Sequence, residues 1–258
     1  MGSMTKRELK ALRRLEKLDQ QNQEKSKSTI KWIILGLGAL LFIAFFGFLI
    51  FLAKQNTLKN ETITLSDKGW VRGADRASSE GARLRAGRDS GGSTPKVTLV
   101  EFGDFQCPAC KTYYPMIQGL SDTYKDRSFR LMIKHFPLTS AHKNAFGAAM
   151  AAEAAGAQGK FFEMHDILYE KQDEWAQLPA VEARDKFILY AKELMLDLGK
   201  FEKDLENRDL EGKIRANQDE GINNGVSGTP TFFLNGKILQ NPRSVDEFKK
   251  IIDEELNK

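Results

Sequence analysis

The sequence predicts an α/β domain behind a single membrane-spanning helix. Three observations carry that expectation. A stretch without charge runs from Trp32 to Ala53, the pattern beyond Pro95 changes to alternating strand and helix signals, and a long helical block separates a β-α-β unit from a hairpin near the carboxyl end.

The chain has 258 residues, a formal net charge of +4 and two cysteines. Its first 95 residues lack the pattern of a globular core, which leaves one domain of ordinary size. Basic residues are interleaved with acidic ones rather than clustered with aromatics, so no nucleic acid is expected as a partner. Two cysteines three positions apart are too few and too close to staple a small secreted fold; they read as a site.

Residues 1–31 form a basic tail expected in the cytoplasm. Leu9, Leu12, Leu15 and Leu18 recur at a three-residue step between charges, which suits either a short amphipathic helix on membrane lipid or a partner, or a solvated charged tail. Residues 32–53 are the expected anchor: 22 residues reach about 33 Å as a helix against a hydrocarbon core of roughly 30 Å. The run is apolar on all faces and fenced by Lys31 and Lys54, unlike a core helix. Leu52-Ala53-Lys54-Gln55 lacks the small-residue cleavage pattern of a signal peptide. Arg13, Arg14, Lys17, Lys25, Lys27 and Lys31 precede the span, so the remainder of the chain is expected outside the cytoplasm. Residues 54–95 are poor in apolar side chains, and 73–94 mix Arg, Ser, Gly and Asp without periodicity, as a flexible tether does.

The folded domain is expected over 96–258. Val97-Thr98-Leu99-Val100-Glu101-Phe102 suits a central strand, a helix opens close to Cys107 and runs through Tyr113 and Ile117, and Phe129-Arg130-Leu131-Met132-Ile133 gives a second strand. Residues 139–225 are helical in period, with a stripe of Phe187, Ile188, Ala191, Leu194, Met195 and Leu198. Thr231-Phe232-Phe233-Leu234 and Lys237-Ile238-Leu239 flank Asn235-Gly236, a turn pair that adopts positive φ, and so form a hairpin. Ser244 with Glu247 is a capping box opening a last helix that buries Val245, Phe248, Ile251 and Ile252.

Cys107-Pro108-Ala109-Cys110 follows the first strand and falls on the opening turn of the helix, where free N–H groups and the macrodipole favour an anion. Cys107 is expected to be the exposed, readily ionised thiol, and Cys110, one turn on, the shielded partner. Pro108 suits the first helical turn because it lacks the N–H that would go unpaired there, and Ala109 adds no charge. Half of a zinc site and an inert disulfide are the other uses of such a pair. Zinc needs two more ligands, which His135, His142 and His165 do not supply at short spacing, so no metal is expected. A disulfide closing so short a loop constrains the unfolded chain little.

The segment Glu101-Phe102-Gly103-Asp104-Phe105-Gln106-Cys107-Pro108-Ala109-Cys110 resembles the active-site segment of the DsbA-like family, especially its membrane-tethered Gram-positive members. Val226-Ser227-Gly228-Thr229-Pro230-Thr231 resembles that family's second signature, and the likeness covers residues 96–255. It implies a thioredoxin-like fold with a helical insertion between the β-α-β unit and a cis-proline hairpin. It implies that Cys107 exchanges disulfides with substrate, that Cys110 resolves, and that Pro230, preceded by Thr229, is cis and faces them. Substrate would lie along Pro108, Ala109, Thr229 and Pro230.

The resemblance also makes Glu101 a buried acid that tunes Cys110 and relays protons; the residue alone reads equally as a strand-end acid in solvent or a salt bridge. Asp104 reads as a turn residue, and His135 as a packed or surface histidine. The dipeptide is Pro-Ala where the most oxidising relatives carry Pro-His, which removes one source of thiolate stabilisation.

The resemblance implies exported proteins with reduced cysteines as substrates and reoxidation by a membrane quinone-linked thiol oxidase of the DsbB or vitamin K epoxide reductase type. The redox-active Cys107–Cys110 disulfide would serve with no other cofactor. A reductase or isomerase using the same pair, and a tethered peptide-binding chaperone with a structural disulfide, remain as alternatives.

Overall fold

The computed structural model describes residues 62–73, 95–124 and 128–258, together with residues 42 and 44–49. The chain divides into two units, Met1–Leu58 and Lys59–Lys258. In the first, residues 42 and 44–49 are helical, with Phe42, Phe45, Phe46, Phe48 and Leu49 exposed. Among the described residues no helix is long and apolar enough to cross a membrane. The basic tail and most of the expected span 32–53 lie outside them, as do residues 54–61 and 74–94 of the expected tether.

The second unit is built on five strands: β1 (Trp70–Gly73), β2 (Val97–Gly103), β3 (Phe129–His135), β4 (Thr231–Leu234) and β5 (Lys237–Ile238), in the order β1-β3-β2-β4-β5. β2 and β3 run parallel, joined across helix α1 (Pro108–Thr123), and all other pairings are antiparallel. β2 is central and almost wholly buried, as its run of apolar residues requires. Between β3 and β4 come α2 (Ala145–Gly156), α3 (Phe161–Glu170), α4 (Gln172–Trp175), α5 (Ala180–Glu193), α6 (Leu198–Asp204) and α7 (Arg208–Asn223), and α8 (Val245–Leu256) closes the chain. This is the expected thioredoxin-like arrangement with its helical insertion.

Alternation along β2 splits the core in two. Val97 and Leu99 face the larger cluster, with Ile117 and Leu120 of α1, Phe248 and Ile252 of α8, and the insertion's Ala151, Met164 and Leu168. Val100 and Phe102 face a smaller cluster with Met132, Phe136, Val226 and Phe233.

That second cluster corrects one expectation. Residues 62–73, read as tether, belong to the folded domain: Ile63, Leu65 and Val71 pack on the smaller cluster, and β1 pairs with β3 at the sheet edge. The segment is pinned along its length. The Ile63 N–H donates to Gly236 O at 2.9 Å, the buried Lys134 ammonium donates to Ser66 O (2.7 Å) and Glu220 Oε2 (2.6 Å), and Arg72 pairs with Asp166 at 2.7 Å. Trp70 stacks on Phe161 with ring centroids 4.3 Å apart, and its Nε1–H donates to the buried Glu153 at 2.5 Å. Apolar residues this sparse give no period to read, and only pairing with β3 defines the strand.

Trp70→Ala is therefore expected to destabilise the domain by roughly 2–4 kcal/mol, through lost packing and a buried carboxylate deprived of a donor. The shift of the urea midpoint measures it. A change under about 0.5 kcal/mol, the ordinary surface range, would contradict the assignment.

Three local readings are also refined. The stripe through Met195 is broken: α5 ends at Glu193, Met195 takes φ 57° and is 91% exposed, and Leu198 starts the next helix, while Phe187 and Ala191 are buried as expected. Asn235 (φ 47°) and Gly236 (φ 78°) form the hairpin turn, and a Cβ at 236 would collide with the Ile63 carbonyl, so both conformation and space demand glycine. In the capping box the Glu247 N–H donates to Ser244 Oγ (3.2 Å), but the return bond comes from the N–H of Arg243, at 2.7 Å, rather than that of Ser244.

Candidate active site

The end of β2, the start of α1 and the loop entering β4 meet at one place. Cys107 is the N-cap of α1 (φ −70°, ψ 122°), with Pro108 in the first turn, so the helix opens at Cys107 as expected and Pro108 occupies a position its missing N–H suits. Lys111 N–H donates to Cys107 O (3.1 Å), closing the first helical turn, and Gln172 of the insertion donates to the carbonyls of Phe105 (2.7 Å) and Cys107 (3.1 Å).

Both cysteines carry free thiols. Cys107 is 6% exposed, a correction to the expectation of an exposed sulfur; the neighbouring Pro108 and Ala109 are exposed instead. Cys110 is wholly buried, as expected. The Thr229–Pro230 bond is cis, which turns the Thr229 carbonyl toward the site, where the Cys107 thiol donates to it at 3.4 Å. The Cys107-Cys110 segment and the Thr229-Pro230 loop, whose contacting residues Cys107 and Thr229 are 122 apart in sequence, thus converge.

The two sulfurs are electrostatically unlike. Cys107 is lowered to about 5, chiefly by a hydrogen bond from the Cys110 thiol and further by the Thr229 hydroxyl and the N–H groups of Cys110 and Ala109, against a burial effect that opposes it. Cys110 is raised well above the ordinary thiol value, by burial first, then by its bond to Cys107 and the charges of Glu101 and Cys107.

The Thr229 hydroxyl is buried and finds no partner among the described residues while Cys107 is a neutral thiol; thiolate formation supplies its acceptor. Thr229→Val is expected to raise the Cys107 pKa by roughly one unit, read from thiolate ultraviolet absorbance across pH. An unchanged titration would contradict the contact.

Glu101 is buried at 4% exposure, which decides between its two readings in favour of the interior. Burial, and then the Cys107 charge, push its carboxyl up to about 8. It borders a cavity of about 10 Å3, roughly the space of one water, whose other walls include Arg72, Tyr114, His165 and Tyr169.

Asp104, read as a turn residue, is a buried anchor: its carboxylate accepts from Gln106 N–H (2.7 Å), Leu138 N–H (2.9 Å) and His142 Nδ1 (2.7 Å). His142 and Gln172 had no sequence signal as site residues, since each reaches the site only through the fold. His135 is packed, 3.1 Å from Glu153, as a structural histidine.

The thioredoxin family model matches residues 86–254. A probable disulfide bond formation protein D of Bacillus cereus is 34% identical over 172 residues, covering 63% of this chain and 75% of that protein. A Na(+)/H(+) antiporter NhaA 3 of Salinispora tropica is 42% identical over 150 residues, 58% of this chain but 22% of the antiporter, so the chain spans about a fifth of that relative's length. Among solved structures, oxidised BdbD from Bacillus subtilis has a TM-score of 0.57 at 23% identity, covering 74% of this chain and 94% of that one. The α-DsbA1 of Wolbachia pipientis has a TM-score of 0.60 at 17% identity, covering 77% and 96%. The chain belongs to the DsbA-like family of thiol-disulfide oxidoreductases within the thioredoxin superfamily.

Proposed function

We propose that the chain is a membrane-anchored dithiol oxidase that introduces disulfides into exported proteins. The observation that carries this reading is the asymmetry of its thiols, Cys107 held at about 5 and Cys110 pushed up. A substrate thiolate attacks the Cys107 sulfur of the Cys107–Cys110 disulfide, the S–S bond breaks, and Cys110 leaves as a thiolate that takes a proton from Glu101. A mixed disulfide now joins substrate to Cys107. The substrate's second thiolate attacks its own sulfur in that bond and expels Cys107, whose low pKa makes it the better leaving group. The substrate departs with a disulfide, and the chain holds two more electrons and Cys107 as thiolate.

Pro108 and Ala109, exposed beside the sulfurs, and the half-buried Thr229 that precedes Pro230 would border a docked substrate peptide. Restoring the disulfide requires a membrane quinone-linked thiol oxidase of the DsbB or vitamin K epoxide reductase type, and the uncharged segment 32–53 would hold the two together. The basic residues before that segment favour a cytoplasmic amino end and a catalytic domain outside, where disulfides persist. The name of the Bacillus cereus relative supports the same direction.

Rapid trapping of free thiols in intact cells tests the direction: the oxidase reading predicts Cys107 and Cys110 mostly as a disulfide, and a mostly reduced pair would favour a reductase or isomerase.

A further inference from the structure

The helical insertion grips the chain on both sides of Cys107. Gln172, the buried first residue of α4, donates its side-chain amide to two carbonyls, Phe105 O at 2.7 Å and Cys107 O at 3.1 Å. Both partners are acceptors, so the amide nitrogen is the end of Gln172 that faces them. Between the two, Gln106 reaches the other way: its amide donates to Ala176 O at 2.5 Å and its side-chain carbonyl accepts the Asn144 N–H at 2.7 Å. α4 is itself bonded into the core. Asn144 Nδ2 donates to the carbonyls of Trp175 (3.2 Å) and Leu178 (2.9 Å), and the wholly buried Trp175 donates its Nε1–H to Leu168 O at 3.0 Å.

The bond to Cys107 O gains its weight from Pro108. The peptide unit that joins Cys107 to Pro108 has no N–H, so its carbonyl is the hydrogen-bonding group through which its direction can be fixed. That oxygen accepts from the Lys111 N–H within α1 and from Gln172 outside it. Its direction sets ψ of Cys107, 122°, the torsion that places an N-cap side chain against the free N–H groups of the first helical turn.

We propose that Gln172 is a positioning residue for disulfide exchange, holding the Cys107 carbonyl so that the Cys107 sulfur stays at the free N–H groups that open α1. The assignment rests on the exchange reading above and gives the helical insertion a part in the chemistry. The other groups that act on that sulfur, the Cys110 thiol, the Thr229 carbonyl and hydroxyl and the buried Glu101 carboxyl, belong to other elements.

Gln172→Leu removes the donor and keeps the bulk. Thiolate ultraviolet absorbance of the reduced full-length chain reads the ionisation of Cys107, whose midpoint is expected to rise by about one unit as the first-turn N–H groups lose their alignment. A chromogenic aromatic disulfide reads the attack: the Cys107 thiolate bonds to one probe sulfur, the probe S–S bond breaks, and one aromatic thiolate leaves. At neutral pH, above both midpoints, that rate is expected to change by no more than about threefold, because a more basic thiolate is the better nucleophile. Gln172→Asn, one methylene short of the two carbonyls, is expected to move the midpoint the same way and keeps the test available should the leucine variant not fold. Trp175→Phe removes the bond to Leu168 O from the same helix and leaves Gln172 in place; it is expected to lower the melting temperature without moving the midpoint.

A midpoint unmoved in the Gln172 variants, or moved equally by Trp175→Phe, would mark a merely structural role and overturn the assignment. A wild-type chain that releases no aromatic thiolate would instead overturn the exchange reading itself.

Discussion

Replacing Cys110 with alanine is expected to abolish oxidation of reduced substrates, because no Cys107–Cys110 disulfide can form, and to leave Cys107 able only to attack the disulfide of an oxidised substrate, expelling one substrate sulfur as thiolate and holding the other in a mixed disulfide. The two sulfurs do different work because their surroundings differ. Cys107 caps a helix and stays anionic near neutral pH, so it attacks and leaves readily; Cys110 is wholly enclosed and is held as a neutral thiol until a base is present. Without Cys110 no internal thiol can reopen the mixed disulfide. Turnover of a reduced test protein should fall by at least about 10³, the scale on which loss of a covalent catalyst's nucleophile is felt. Adducts should appear on non-reducing gels of cells producing the variant. Cys107→Ala should be equally inactive but form no adducts, and adducts surviving in that variant would contradict the division of labour.

Glu101→Gln is the second large effect. Cys110 must lose and regain a proton in a site closed to bulk water, and Glu101 is the buried acid raised into the range where it can do both near neutral pH. Glutamine keeps the shape and removes the proton transfer, so closure of the Cys107–Cys110 disulfide should slow by roughly 10²–10³ with little change in the first attack by Cys107.

The same shift has a stability consequence of definite sign. A carboxyl whose folded pKa lies above its unfolded value favours folding below about 4.5, and that contribution is lost as pH rises toward about 8. The variant lacks the titration and should gain on the wild type by up to roughly 5 kcal/mol at alkaline pH. Parallel urea midpoints from pH 5 to about 9 would contradict burial as the origin of the shift.

How much of this was legible depended on whether the signal was local. The strand from Val97, the helix opening at Cys107 and the Asn235-Gly236 turn are written in period and turn chemistry, and each stands where it was expected. Cys107 and Cys110 were visible because their spacing is itself the chemistry. Thr229 and Pro230 needed a family resemblance, since nothing in a lone Thr-Pro dipeptide says that it will face a sulfur over a hundred residues away. β1 was hidden because a four-residue edge strand has no period of its own and exists through its pairing with β3. Asp104 was misjudged for a related reason: its three donors come from two loops that only the sheet brings together, so its sequence neighbourhood shows a turn and not an anchor. The exposure assigned to Cys107 failed because the helix terminus is roofed by the cis-proline loop.

The central claim is that the asymmetric pair makes this chain an oxidant, and equilibration of the Cys107–Cys110 couple against glutathione redox buffers tests it most directly. A thiolate stable down to about pH 5 stabilises the reduced form, so the account predicts a reduction potential more oxidising than about −200 mV, in the range of disulfide-forming catalysts. A value near −270 mV, that of a dedicated reductant, would contradict it.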